Sequence, residues 1–197
     1  MPSASRNPIL ASAAAAALML TACGSSDRQP PTLDLPLEAP AGASNVVADF
    51  VELCSLVMID QSAAITAISQ RDRWKAPSGS ILDEAVAFGG FVSEGENGES
   101  FQIFSLDFPH VEGVSCQIVG SLPDQHPDLS ALADLPGMLG AYQTVGTGDD
   151  VSQIGRFSGI GPDGYPVTLQ VVSNPNLFFT LAMTSTRPVK PSASNPE

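Results

Sequence analysis

The chain has 197 residues, of which 8 are basic and 21 are acidic, so its formal net charge is −13. This length supplies enough residues for one folded domain with flanking segments. The small number of lysines and arginines argues against binding to nucleic acid, since phosphate backbones are bound by clustered positive charge.

Residues 1–22 have the three parts of an export signal. The N-terminal region carries one charge, at Arg6. An apolar run from Ile9 to Leu20 follows, and small residues come after it. As a helix this run would cover about 18 Å, whereas the hydrocarbon core of a bilayer is about 30 Å thick. We therefore predict a signal peptide over residues 1–22 rather than a permanent membrane span.

The apolar run ends in Leu20-Thr21-Ala22-Cys23, which resembles the lipobox of bacterial lipoproteins. The resemblance implies a diacylglyceryl group on Cys23, cleavage before it, and an acyl chain such as palmitate on the new amino group. Several acyl chains bind a membrane durably, because each buried methylene contributes about 0.8 kcal/mol. Gly24 in the next position implies the outer membrane, facing the periplasm, in a Gram-negative host. The alternative is an ordinary secretory signal that leaves Cys23 as a free thiol.

Residues 23–43 follow as a lipidated cysteine and a spacer with four prolines among serines and isolated apolar residues. Proline-rich linkers are extended at about 3.1 Å per residue, which predicts a tether that holds the domain several nanometres from the membrane. A single domain is predicted over residues 44–187. The composition of residues 188–197 is typical of a disordered tail.

Two helices are predicted at the start of the domain. Ser44 is the expected N-cap of the first and Asp60 of the second, over residues 61–70. The first has apolar residues at the three-four spacing of a buried face, namely Val47, Phe50, Val51, Cys54 and Val57 or Met58. A third, short helix is predicted over residues 129–139, capped by Asp128 despite Pro136.

Six strands are predicted from apolar runs bounded by turn residues. They cover residues 85–92, 101–106, 114–119, 153–160, 165–172 and 177–183. The links Pro162-Asp163-Gly164 and Asn174-Pro175-Asn176 are short, which favours antiparallel neighbours. The sequence therefore predicts an α+β domain, with an antiparallel sheet of about six strands and two or three helices packed on one face.

The two cysteines other than Cys23 are Cys54 and Cys116. An even pair in an exported protein predicts a disulfide. The bond would join the first helix to a strand, and closing a loop of about 60 residues removes roughly 4 kcal/mol of unfolded-state entropy. There is no CxxC and no zinc-type spacing of cysteine and histidine, so we predict neither a metal site nor a cofactor.

Several acidic or glycine-rich loops could be binding sites instead of ordinary turns. Residues 124–128 place two carboxylates around His126 and could bind a divalent metal, but a helix-capping loop explains them better. The acidic loops 94–99 and 148–150 could supply oxygen ligands to calcium, but neither has the DxDxDG order of a calcium loop. Residues 159–164 match GxGxxG, yet a strand follows instead of a helix and Pro162 has no amide hydrogen. We expect ordinary turns in all of them.

Catalytic motifs such as GxSxG and SxxK are missing from the sequence. A triad assembled from distant positions around His110 or His126 stays open. We nevertheless predict that the protein is not an enzyme.

The best candidate for a contact surface is the basic segment around Trp74. Arg71, Arg73 and Trp74 lie close together after the second helix, and tryptophan and arginine are frequent interface hot spots. The alternative is structural, because basic residues favour a helix C-terminus and Trp74 could fill the edge of the core.

The body of the chain also resembles small exported proteins of Gram-negative bacteria that have no assigned function. The residues that carry this resemblance are Cys54, the helix that ends at Trp74, the strand with Cys116, and residues 128–140. It covers residues 48–186 and implies no activity. The leading hypothesis is a non-enzymatic lipoprotein, anchored in the bilayer through Cys23, that binds an envelope protein. The alternative is a periplasmic hydrolase or small-ligand carrier.

Replacing the predicted lipid attachment residue tests the anchor. Cys23→Ser removes the thiol that would accept the diacylglyceryl group, so we expect loss of labelling by radioactive palmitate. We also expect the protein to lose its acyl-dependent partition into the detergent phase of Triton X-114. Labelling that persists in the Cys23→Ser variant would contradict the lipobox.

Overall fold

The computed structural model describes residues 31–75, 90–121, 127–146, 151–174 and 176–189. The predicted signal peptide, Cys23, residues 24–30 of the tether and residues 190–197 of the tail lie outside the described residues, as do His126 and the acidic pair at 149–150.

Two helices and eight strands follow one another along the chain. Helices α1 (Asn45–Val57) and α2 (Gln61–Ser69) come first, then strands β1 (Trp74–Lys75), β2 (Gly90–Gly95), β3 (Ser100–Phe108) and β4 (Val111–Gly120). A short 3-10 helix (Ser130–Asp134) precedes strands β5 (Leu139–Val145), β6 (Ser152–Ile160), β7 (Pro166–Asn174) and β8 (Phe178–Pro188). The predicted caps are present, since Ser44 accepts from the Val47 amide and Asp60 from the Ala63 amide.

All eight strands belong to one sheet in the order β1-β2-β3-β4-β8-β7-β6-β5. Each neighbouring pair is antiparallel. The sheet thus consists of two four-stranded units joined where β4 pairs with β8. This confirms an antiparallel α+β architecture, but with eight strands rather than the six predicted.

One of the missed strands, β5, begins at the residue where the predicted third helix ends, and the sequence prediction assigns residues 140–145 to no element. The 3-10 helix ends before Leu135, which is extended with ψ 124° because a residue before proline is pushed out of the helical region. Gly137 then takes a positive φ of 78°, and the chain continues into β5, which pairs with β6. Tyr142, Thr144 and Val145 favour strands, so the prediction of a helix over 129–139 was wrong beyond residue 134.

The other differences concern the ends of strands. β1 has only two residues, too few for a sequence period to be visible. β2 is described over Gly90–Gly95 and runs three residues past the predicted end at residue 92, while residues 85–89 of that prediction lie outside the described residues. β4 and β8 are longer than predicted because they pair with each other from Val111↔Pro188 to Gly120↔Phe179.

The register of the sheet separates an apolar face from a polar one. Cys116, Met183 and Leu169 lie side by side on adjacent strands and are buried. The neighbouring row on the other face carries Gln117, Ala182 and Gln170, none of which is buried. Helix α1 covers the apolar face at β4 and β8, and α2 packs against α1 and β1. The second face of the sheet is therefore the less buried one, with a polar row at its centre.

The proline-rich segment joins the packed structure earlier than the predicted domain boundary at residue 44. Thr32 forms a parallel bridge with Ile160, and the Leu33 amide donates to the Ile160 carbonyl at 2.7 Å. Leu33 and Leu37 are both buried in the core, and the Leu37 amide donates to Ser55 Oγ at 2.8 Å. Residues 24–30 are what is left of the predicted spacer before the packed chain begins.

The predicted disulfide between Cys54 and Cys116 is present. It joins the C-terminal part of α1 to the middle of β4, with the two Cα atoms 5.3 Å apart and both side chains fully buried. The bond crosses the layer between helix and sheet directly beside the β4–β8 pair. It therefore ties the helix to the strand at which the two halves of the sheet meet.

Removal of this bond should lower the free energy of unfolding. The bridged residues are 62 positions apart, for which the chain-entropy relation gives about 4 kcal/mol. The double variant Cys54→Ala/Cys116→Ala keeps both β-carbons and should show that loss in urea denaturation. The matched comparison is the unsubstituted protein with and without reductant. A midpoint that is the same for all three samples would contradict a stabilising bond.

Candidate functional site

A buried carboxylate on α1 organises the corner where α1, α2 and β1 meet. Asp49 is nearly inaccessible, and its Oδ1 accepts a hydrogen bond from Arg71 Nη1. Its Oδ2 accepts from Trp74 Nε1 at 2.7 Å and lies 3.4 Å from Arg73 Nε. Arg71 also donates from Nη2 to Glu52 Oε2 at 2.6 Å. Burial, together with the charge of Arg73, lowers the pKa of Arg71.

A second buried carboxylate continues this network into the β2–β3 turn. Glu99 accepts from Arg73 Nη2 at 2.7 Å and from the Asn97 amide at 3.1 Å. The Arg73 guanidinium lies 5.1 Å from the centre of the Trp74 ring. Because its carboxylate is engaged by Arg73, Glu99 serves the packing of this turn, which agrees with the expectation of an ordinary acidic turn.

The three residues predicted as a contact surface are thus brought together, but inside this corner. Trp74 is 5% exposed, and its ring meets Phe101 edge-on with 5.6 Å between centroids. A ring this buried has little surface to offer a partner. The geometry matches the alternative in which Trp74 fills the edge of the core. Arg71 and Arg73 were expected there to favour the helix C-terminus, and the structure instead pairs them with the buried carboxylates Asp49 and Glu99.

An open cavity of about 450 Å³ lies at the C-terminal end of α1. We call it the end groove. Its walls come from the α1–α2 link, the β3–β4 hairpin, the end of β8 and the β6–β7 turn. The residues lining it are Val57, Met58, Ile59, Gln61, Ser105, Leu106, Asp107, Glu112, Gly113, Val114, Asp163, Ser185 and Arg187.

The end groove combines exposed apolar surface with negative charge. Ile59 is 50% exposed, and Asp107, Glu112 and Asp163 contribute three carboxylates. Glu112 accepts from Arg187 Nε at 2.8 Å, whereas within the described ranges Asp107 and Asp163 take part in no ion pair. Such a lining suits a ligand that carries both a cationic group and an apolar side chain.

A second cavity of about 460 Å³ lies between residues 36–38 and the two helices. Most of its wall is apolar, from Leu37, Leu53, Leu56 and Ala67. Of the three charged residues that line it, Arg71 and Glu52 are bonded to each other, and Glu38 is the third. This cavity offers less polar recognition than the end groove.

The remaining candidates have structural roles or are not brought together. His110 is exposed in the β3–β4 turn, and over the described residues no hydrogen bond or ion pair joins its side chain to a carboxylate. Asp128 accepts from the Ser130 amide at 2.9 Å, which lowers the pKa of its carboxyl. The GxGxxG segment is the β6–β7 hairpin, closed by the Gly161 amide on the Tyr165 carbonyl at 2.8 Å.

No group of three or more metal-type side chains is positioned to hold an ion in the portion of the chain that the structure describes. In that same portion, no helix is both long and apolar enough to span a bilayer. Comparison with known proteins finds no matching family model, no matching curated protein and no matching solved structure.

Two features of the site were missed by sequence reasoning. Asp49 stands between Val47 and Phe50 on the buried face of α1, and a lone acid in an apolar stripe indicates a buried basic partner. No comparable pattern in the sequence indicated the end groove. Asp107 and Glu112 flank one hairpin, but Ile59 and Asp163 come from distant parts of the sequence.

Neutralising Asp49 should destabilise the fold far more than neutralising its neighbour. Asp49→Asn removes the only buried counter-charge of Arg71 among its described ion pairs, and one of the two buried carboxylates beside Arg73. Breaking a buried pair costs about 3 kcal/mol or more. The matched control is Glu52→Gln, whose side chain is 43% exposed and should cost less than about 1 kcal/mol. Urea denaturation measures both. Equal losses would mean that the Asp49 network does not hold this corner together.

Proposed function

We propose that the protein is a lipid-anchored lipoprotein of the cell envelope whose domain is a non-enzymatic binding module. The end groove is its binding surface. The observation that carries the proposal is the composition of this groove, in which half-exposed Ile59 lies with Asp107 and Asp163, two carboxylates without an ion-pair partner in the described structure. The anchor is supported by the lipobox at residues 20–23.

The position of the groove relative to the N-terminal segment supports a partner at the membrane. Thr32 bridges Ile160, the last residue of β6, and the following turn contributes Asp163 to the groove. Eight steps of the chain separate Cys23 from Pro31, and even a fully extended chain covers no more than about 30 Å over this length. An acylated Cys23 would therefore keep the groove close to the bilayer surface.

The chemistry of the lining indicates what kind of partner the groove accepts. Asp107, Glu112 and Asp163 outweigh the single cation Arg187, so the local charge is negative, as it is for the whole chain at −13. Negative charge steers cationic partners towards the site and repels acidic ones. A membrane-proximal protein segment that carries lysine or arginine next to an apolar residue fits these requirements.

A small-ligand carrier is the second candidate. The groove volume of about 450 Å³ falls in the range of roughly 300–1,000 Å³ that is usual for small-molecule sites. A cationic amphiphile would satisfy the same carboxylates and apolar side chains. Native mass spectrometry of protein purified from its own host separates the candidates, because a carrier retains a bound compound of defined mass.

Photocrosslinking in intact cells tests the groove as a protein-binding surface. A photoreactive phenylalanine derivative at Ile59 should yield a discrete crosslinked protein band. The matched control places the same group at Leu177, in the β7–β8 turn. Leu177 is 58% exposed and Ile59 is 50% exposed, so accessibility alone predicts equal yields. A strong band at position 59 and none at position 177 is the expected result.

Charge removal adds a second arm to this experiment. Asp107→Asn/Asp163→Asn should reduce the crosslink from position 59 several-fold, because the cationic partner loses its counter-charges, while circular dichroism stays unchanged. Equal crosslinking from positions 59 and 177, or a band that is insensitive to both substitutions, would reject the groove as the binding surface.

A further inference from the structure

One edge of the eight-stranded sheet is open along a complete strand. β5 is hydrogen-bonded to β6, and in the part of the chain that the structure describes no strand pairs with its other side. In an antiparallel strand, every second residue directs its amide and carbonyl groups to one neighbouring strand, and the residues between them direct theirs to the other side. Three or four of the seven residues in β5 therefore present hydrogen-bonding groups at this edge.

The composition of β5 makes this edge unusual. Natural edge strands are protected from further pairing by charged residues, proline, bulges or very short length. Leu139–Val145 has seven residues without a charge or a proline, and Leu139 and Val145 are each 51% exposed. At the opposite edge, the described residues of β1 are Trp74–Lys75, and Lys75 supplies a charge there.

β5 is also held rigid before any partner binds. The Tyr142 hydroxyl donates to the Leu129 carbonyl, and its ring meets Phe157 edge-on with 5.2 Å between centroids. Gly155 permits this contact, because a β-carbon there would come within 2.6 Å of the Tyr142 ring. Burial, with the charge of Asp128 adding to it, raises the pKa of Tyr142 to about 12. A preorganised edge loses little entropy on pairing.

We propose that β5 pairs antiparallel with β5 of a second copy of this chain, about a two-fold axis at Tyr142 that is perpendicular to the sheet. This axis keeps the apolar face of one sheet continuous with that of the other. All seven residues then find a partner. Leu139 lies opposite Val145 of the second copy, Gly140 opposite Thr144, and Ala141 opposite Gln143.

The side chains in this register complement one another. The two exposed apolar residues, Leu139 and Val145, cover each other, and directly opposite pairs of this kind stabilise a sheet. No charge opposes a like charge within the strand, although the chain as a whole carries −13. The nearest cation on this face is Arg156, opposite Ala141 on β6. The two Arg156 side chains would be about 14 Å or more apart, beyond the Debye length of about 10 Å at 0.1 M salt.

Disulfide trapping in intact cells tests both the dimer and its register. In Leu139→Cys/Val145→Cys, the two new thiols of one copy face the two of the other, and opposite β-carbons lie about 5 Å apart. Within one chain they are six residues and about 20 Å apart, so no internal bond can form. A disulfide-linked dimer should dominate on a non-reducing gel.

The single variants Leu139→Cys and Val145→Cys are the matched controls. In the proposed register each thiol is about 20 Å from its own equivalent, so neither variant alone should form the dimer, whereas co-expression of the two should. The unsubstituted chain, run alongside, reports any dimer formed through Cys23. A double variant that stays monomeric, or single variants that crosslink as well as the double, would overturn the proposal.

Charge substitutions give a second, independent test in the same cysteine background. Ala141→Lys/Gln143→Lys places lysine opposite lysine at both central pairs and should reduce the dimer yield about tenfold. Ala141→Lys/Gln143→Glu introduces the same number of charges but places lysine opposite glutamate, so the yield should return. Both positions are exposed in the single chain. Equal yields from the two charge variants would reject this pairing.

Discussion

The pairing of β4 with β8 is the interaction on which the rest of the structure depends. It runs without interruption from Val111↔Pro188 to Gly120↔Phe179 and joins two four-stranded units into one sheet. Helix α1 covers this junction, and the Cys54–Cys116 bond fixes the helix to β4 beside it. The apolar face is continuous across the sheet because β4 of one unit pairs with β8 of the other. The core on that face, the packing of α1 against it and the position of the disulfide all depend on this pairing.

Charge burial defines the corner next to this junction. Asp49 and Glu99 are both inaccessible, and Arg73 lies between them with Arg71 and Trp74 completing the hydrogen bonds. Isolated buried charges are costly, whereas paired and hydrogen-bonded charges fix the geometry of the elements that carry them. Arg73 Nε is buried without a hydrogen bond to any described residue and lies 3.4 Å from Asp49 Oδ2. The basic segment after α2 therefore contributes to the fold, and the candidate binding surfaces lie elsewhere, at the end groove and at the β5 edge.

These two surfaces have different physical characters and suit different occupants. The end groove is concave, acidic and close to the point where the N-terminal segment joins β6. The β5 edge is uncharged and, in the described part of the chain, has no strand paired with its outer side. Association through β5 would leave the groove of each copy open, since Asp107 and Ile59 belong to the β3–β4 hairpin and the α1–α2 link. An anchored dimer could thus present two grooves near one membrane.

The sequence by itself determined the features that depend on a few neighbouring residues. The caps at Ser44 and Asp60, the apolar stripe of α1 and the β6–β7 turn all follow from local spacing and turn chemistry. The cysteine pair followed from number alone, since Cys54 and Cys116 are the two cysteines left besides Cys23. Only the tertiary structure decided that Leu139–Val145 forms a strand, that Leu33 and Leu37 belong to the core, that Asp49 meets Arg71 and Trp74, and that Ile59 and Asp163 share a groove. These outcomes depend on which residues, far apart in the sequence, bury each other and satisfy each other's hydrogen bonds. The spacing of residues along the chain does not show which of these contacts form.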